Sequence, residues 1–118
     1  MGRLTTHVLD TANGCPGKGI YIKLFSVADD GAQKLLKTAI TNDDGRVDSP
    51  MLDGDDFTVG TYILEFDAGD YYRGLGTDLA DPAFLDIVPI RFGVADAGAH
   101  YHVPLLISPY GYSTYRGS

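Results

Sequence analysis

One cysteine, Cys15, is all the thiol in this 118-residue sequence. No disulfide can form within the chain, and a reducing compartment fits it. Basic residues are few: nine Lys and Arg against sixteen Asp and Glu leave a formal charge of -7. That sign repels a phosphate backbone and an anionic bilayer surface, so neither a nucleic-acid nor a membrane partner is expected. No stretch approaches the roughly eighteen apolar residues of a spanning helix, and the first residues lack the apolar core of a signal peptide. A cytoplasmic protein is expected. The loose myristoylation pattern at Met1–Thr6 is set aside, because Leu4 onward already reads as a strand.

Several chemical signatures are also missing. Asn42, Asp43 and Asp44 are contiguous, whereas a calcium loop of the EF-hand type alternates its ligands. The three histidines lack the spacing of a zinc motif, and there is no G-x-S-x-G nucleophile elbow. Cys15 sits in a Gly-Cys-Pro turn with no histidine beside it in sequence to activate the thiol.

What is present points to strands. Fifteen Gly, six Pro and eight Tyr with no sustained helical heptad favour many short strands joined by turns. Leu4–Leu9 alternates, placing Leu4, Thr6 and Val8 on one face and Thr5, His7 and Leu9 on the other. Ile20, Ile22 and Leu24 form an inward row, and Asp29-Asp30-Gly31 turns the chain into a strand over Lys34–Thr41. Asn42-Asp43-Asp44-Gly45 is a tight turn followed at once by Arg46. A second acidic turn, Asp53-Gly54-Asp55-Asp56, leads to a strand over Thr61–Asp67. The one helical candidate is Asp70–Leu75. Strands resume at Ile87–Val94 and again from His100, with Ser108-Pro109 breaking the last stretch in two. The fold class is all-β: a two-sheet β-sandwich of seven to eight strands with one short helix, in a single domain over residues 1–118. A hydrophobic content of 44% suits one core.

The candidate chemistry lies on outward faces. Tyr101, Val103, Leu105 and Ile107 make a core face, leaving His100, His102, Pro104 and Leu106 pointing the other way. That second set suits neither water nor a dry core, and a groove or subunit interface fits it better. His100 and His102 share a face about 7 Å apart, too far to pass a proton directly. A histidine on a strand is as a rule structural. Two of them, with His7 and Arg46, are nevertheless the only groups suited to acid–base or anion chemistry at strand positions or just after a tight turn. Tyr115-Arg116-Gly117-Ser118 brings two large hydrogen-bonding side chains where frayed, polar residues are usual, as though it has a fixed place.

These residues carry a specific resemblance. Leu4-Thr5-Thr6-His7-Val8-Leu9-Asp10, Thr41-Asn42-Asp43-Asp44-Gly45-Arg46, His100-Tyr101-His102-Val103-Pro104-Leu105-Leu106 and the final Tyr115-Arg116-Gly117-Ser118 resemble the 5-hydroxyisourate hydrolases, the transthyretin-related proteins of purine catabolism. The likeness runs from end to end, and the final tetrapeptide separates it from the hormone carrier on the same fold. It implies a prealbumin-type sandwich assembled as a homotetramer, with His7, Arg46, His102 and the tail lining a channel between dimers. By the same likeness His102, rather than His100, takes the channel position, and His100 supports it.

The implied reaction is hydrolytic ring opening of 5-hydroxyisourate to 2-oxo-4-hydroxy-4-carboxy-5-ureidoimidazoline. It needs a base for water, a proton donor for the departing ring nitrogen and a group for the oxyanion. His7 and His102 would divide the proton work, in an order left open. Arg46 would hold substrate and stabilise negative charge, while Tyr115 and Ser118 would close the pocket. No metal or organic cofactor is implied. The alternative is a carrier that uses the same channel for a small molecule without chemistry.

Overall fold

The computed structural model describes residues 2–117, so Ser118 lies outside the described residues. The strands in chain order are β1 (Arg3–Asp10), β2 (Cys15–Pro16), β3 (Tyr21–Val27), β4 (Gln33–Ile40), β5 (Leu52–Asp53), β6 (Gly60–Asp67), β7 (Ile87–Val94), β8 (His100–Ser108) and β9 (Gly111–Thr114). A single helix, α1 (Ala68–Gly74), lies between β6 and β7, and one 3-10 turn covers Gly54–Asp56. The seven longer strands fall where alternation and the turns between them lead strands to be expected. β2 and β5 have two residues each, too few for a period to show. The helix starts two residues earlier than expected, because the Asp67 side chain accepts the Asp70 amide at 3.3 Å and caps it there.

Two sheets form the sandwich. One has the order β2-β1-β8-β9, with β5 also on β1; the other runs β4-β3-β6-β7. The pairing that matters most is parallel, between β1 and β8: Thr5 stands opposite His102 and His7 opposite Pro104. Opposed residues on neighbouring strands share a face. The register therefore puts every outward residue of β1 beside an outward residue of β8. Two alternations almost a hundred residues apart become one surface.

The inner faces meet as expected. Leu4 and Val8 of β1, Ile22 and Leu24 of β3, Leu64 and Phe66 of β6 and Leu105 and Ile107 of β8 are all completely buried. Each contributes about 1.5–3 kcal/mol relative to an exposed side chain. This packing is what holds β1 and β8 rigid, and their outward faces inherit that rigidity. At the far end of β1 the core closes over a carboxylate: buried Asp10 accepts both the Tyr71 and Tyr72 hydroxyls of α1 at 2.7 Å.

Candidate active site

Arg46 reaches the site because of the turn before it. The Asn42 side-chain oxygen accepts the Asp44 amide at 2.9 Å and the Arg46 amide at 3.1 Å, a local bonding pattern that Asx residues favour over continued strand. Gly45 has φ of +75° and lies against the Val8 carbonyl, where a side chain would collide with backbone. The Val8 amide donates to the Gly45 carbonyl at 2.8 Å, and an isolated antiparallel bridge pairs His7 with Arg46. Two residues distant in sequence are thus fixed side by side through main chain.

The outward face of β1 and β8 carries a concavity of about 360 Å³, lined by Arg3, Thr5, Thr6, Arg46, Val47, His100 and His102. That volume suits a small-molecule ligand. His7 adds its ring, with its centroid 6.5 Å from that of His102. Its Nε2 lies 2.9 Å from the Asp44 carbonyl oxygen. A carbonyl only accepts, so Nε2 of His7 carries the proton and the lone pair of the neutral ring is on Nδ1.

His102 is oriented from its other side. Its Nδ1 lies 2.8 Å from Thr5 Oγ1, leaving Nε2 as the nitrogen that Thr5 does not occupy. Partial burial, followed by the positive charge of Arg46 and then by His100 and His7, holds its imidazole below the ordinary value. At neutral pH the ring is therefore an uncharged base. His100 joins the same hydroxyl through Nε2 at 2.8 Å.

The segment after β9 does have a fixed place. The Gly117 amide donates to the His102 carbonyl at 2.7 Å, and the two residues form a bridge. A Cβ on Gly117 would stand 2.6 Å from Cδ2 of the His102 ring. Only glycine fits between tail and imidazole without moving the ring. Arg116 lies over the Tyr101 ring at 3.9 Å, a cation–π contact that ties the tail to β8.

The structure thus gathers His7, Arg46, His102 and His100, and it presses the tail against His102. Tyr115 does not line their concavity in the single chain. It is exposed and borders a neighbouring hollow with Arg91, Phe92 and Thr114. Thr5 is the residue that sequence reading passes over. Its alternation with His7 places it on the same face, but only the register with β8 sets it between two imidazoles. Among the described residues no three His, Cys, Asp or Glu side chains converge as a metal ligand set.

Comparison with known proteins gives the geometry its kinship. Residues 4–117 match the HIUase/Transthyretin family. A 5-hydroxyisourate hydrolase of Pseudomonas aeruginosa is 64% identical over 119 residues, covering 100% of this chain and 93% of the relative. The crystal structure of an (S)-allantoin synthase superposes with a TM-score of 0.93 at 47% identity, covering 99% of this chain and 44% of that larger one. Sea bream transthyretin in complex with thyroxine superposes at 0.87 with 25% identity, covering 98% of this chain and 94% of the transthyretin. With this sandwich, and with a family match spanning nearly its whole length, the chain belongs to the HIUase/transthyretin family.

Proposed function

We infer that this chain hydrolyses 5-hydroxyisourate, opening its six-membered ring by attack of water on the ring amide carbonyl. The observation that carries the reading is the convergence of two imidazoles, His7 and His102, and the Arg46 guanidinium on one rigid sheet face. A carrier site for an apolar ligand has no use for paired bases beside an arginine. The identity of 64% to a hydrolase over the full chain supports the same conclusion.

The hydrogen bonds support one division of labour. His102 holds Nε2 toward the concavity and, being uncharged, takes the proton of the attacking water. His7, with its proton fixed on Nε2 by the Asp44 carbonyl, positions substrate through Nδ1. Arg46 faces the charge that develops on the carbonyl oxygen and contributes about 3–4 kcal/mol to the barrier if it acts as an oxyanion-hole donor does. Ser118 lies outside the described residues, and its part in closing the pocket rests on the family resemblance. No cofactor is required for any of these steps.

A homotetramer completes the reading. Arg46 and Tyr115 are exposed in the single chain, and a site that must exclude water needs more cover than one sheet face provides. The opposing face of another dimer supplies that cover and gives Tyr115 its role in holding substrate. A cytoplasmic location accords with the single cysteine, and cell fractionation checks it.

The test is the ultraviolet decay of 5-hydroxyisourate freshly generated from urate, measured with the intact chain and with one lacking Tyr115–Ser118, beside a spontaneous-decay control. Acceleration by the intact chain alone, with both chains in the same oligomeric state, is the expected result. No acceleration by either chain refutes the hydrolase and leaves the carrier.

A further inference from the structure

Thr5 Oγ1 lies 2.8 Å from Nε2 of His100 and 2.8 Å from Nδ1 of His102. A hydroxyl has one proton to donate, so it cannot donate to both rings. At least one of the two nitrogens facing it must itself be an N–H. The protonation states of two imidazoles whose centroids are 6.3 Å apart are therefore linked through one oxygen atom. Among the described residues the lining around them bears Arg3 and Arg46, with His7 nearby, and no carboxylate. Such surroundings resist adding a second positive charge but allow one proton to be moved between the rings.

We propose that Thr5 and His100 form a proton relay behind His102, a pair of positioning residues that sets its tautomer and lets it serve as base and then as acid. This rests on the hydrolase reading. At rest, Nδ1–H of His102 donates to Thr5 Oγ1, and the Thr5 hydroxyl donates to Nε2 of His100, whose own proton is on Nδ1. Nε2 of His102 is then a free lone pair.

When that nitrogen takes a proton from water, the new hydroxide forms the C–O bond to the ring carbonyl. The Nδ1 proton of His102 passes to Thr5 Oγ1 as the Thr5 proton passes to His100. His102 stays neutral in the opposite tautomer, and His100 holds the positive charge that balances the oxyanion. The relay runs back as the ring C–N bond breaks: His100 returns its proton to Thr5, Thr5 returns one to Nδ1 of His102, and Nε2–H of the imidazolium so formed protonates the departing nitrogen. No proton or charge is left over.

Three single variants and one double test the relay. Thr5→Val keeps the branched shape and removes the hydroxyl, Thr5→Ser keeps the hydroxyl, and His100→Gln removes the terminal acceptor. Thr5→Val should lower kcat about 10- to 100-fold with KM within about twofold, and Thr5→Ser should recover most of the rate. His100→Gln combined with Thr5→Val should be no slower than Thr5→Val alone, because a broken relay cannot be broken twice.

Imidazole 15N NMR of the same proteins without substrate should show His102 protonated on Nδ1 in the intact chain and as a tautomer mixture in Thr5→Val. The titrations of His100 and His102 should be linked only where the hydroxyl is present. A Thr5→Val chain with unchanged kcat, or Val and Ser chains equally slow, overturns the relay. So do His102 signals that are identical with and without the hydroxyl. Absence of turnover in the intact chain overturns the hydrolase reading instead, and the NMR linkage is read independently of it.

Discussion

Strand β1 carries polar groups in two places and treats them in opposite ways. At its end Asp10, only 1% exposed, accepts five donors on two oxygens: the amides of Ala12 and Asn13, the Asn13 side chain, and the Tyr71 and Tyr72 hydroxyls. Burial alone would raise this carboxyl, but the bonds from Asn13, Tyr72 and Tyr71 outweigh it and hold the group below its ordinary value. Burial, then the contact with Asp10, pushes both phenols well up, so each remains a donor. Near the middle of the strand, Thr5 and His7 are half-buried: Thr5 meets one nitrogen each of His100 and His102, while among the described residues Nε2 of His102 and Nδ1 of His7 meet no partner and face a ligand. A fully satisfied charge ties elements together and offers nothing to a substrate. An incompletely satisfied one, held rigid by the packed face behind it, can do chemistry.

The comparison is broken most sharply at the open cluster. Replacing His102 with Asn should lower turnover about 10²–10⁴-fold while leaving thermal unfolding close to that of the intact chain. Unchanged turnover would remove His102 from the chemistry. Gly117→Ala should come next: the added methyl would displace the His102 ring, and a misplacement of this kind costs up to about 10²-fold in kcat. Full activity in that variant, with unchanged far-ultraviolet dichroism, would mean the ring has room to give.

At the satisfied cluster the readout changes from rate to stability. Tyr72→Phe removes the hydroxyl that donates to Asp10 and contacts the Ile107 carbonyl, and should cost about 1–3 kcal/mol in urea unfolding with no loss of turnover per folded molecule. Lost activity at full stability would reverse the assignment of the two regions.

The smallest effect is one of pH. A base must be uncharged to act, so kcat/KM should rise with pH through the lowered value of His102 and level off near neutrality, its acid limb lying below 6.5. Folding follows the same sign: a depressed imidazole favours the folded state above 6.5 and loses that advantage as pH falls. Arg46→Gln removes one of the charges holding the ring down. The His102 titration followed by NMR should then move upward, and an unmoved titration would mean the arginine is too well solvated to be felt.

Much of this was legible in residues alone. Period-two alternation separates core from surface within β1 and β3 and, apart from Ile63 and Pro104, which are buried on the outward side, within β6 and β8, because a strand must turn successive side chains to opposite faces. The same parity exposes His7 and the His100/His102 pair as misfits on an outward face, and Asn42–Gly45 declares the turn that delivers Arg46. The short strands and the start of α1 were less legible, since two residues show no period and one cap contact shifted the helix.

The sequence by itself therefore determined the fold class, the inner faces, the candidate bases and arginine, and the family likeness. These follow from local periods and from residue types that carry their chemistry with them. Only the tertiary structure decided which histidine nitrogens are occupied, that Thr5 joins two of the rings, and that Gly117 lies against His102. Those facts depend on the parallel register of β1 on β8 and on the return of the tail to β8. Local alternation fixes which face each strand turns inward, but which residues of β1 and β8 stand opposite is set by packing between segments distant in sequence.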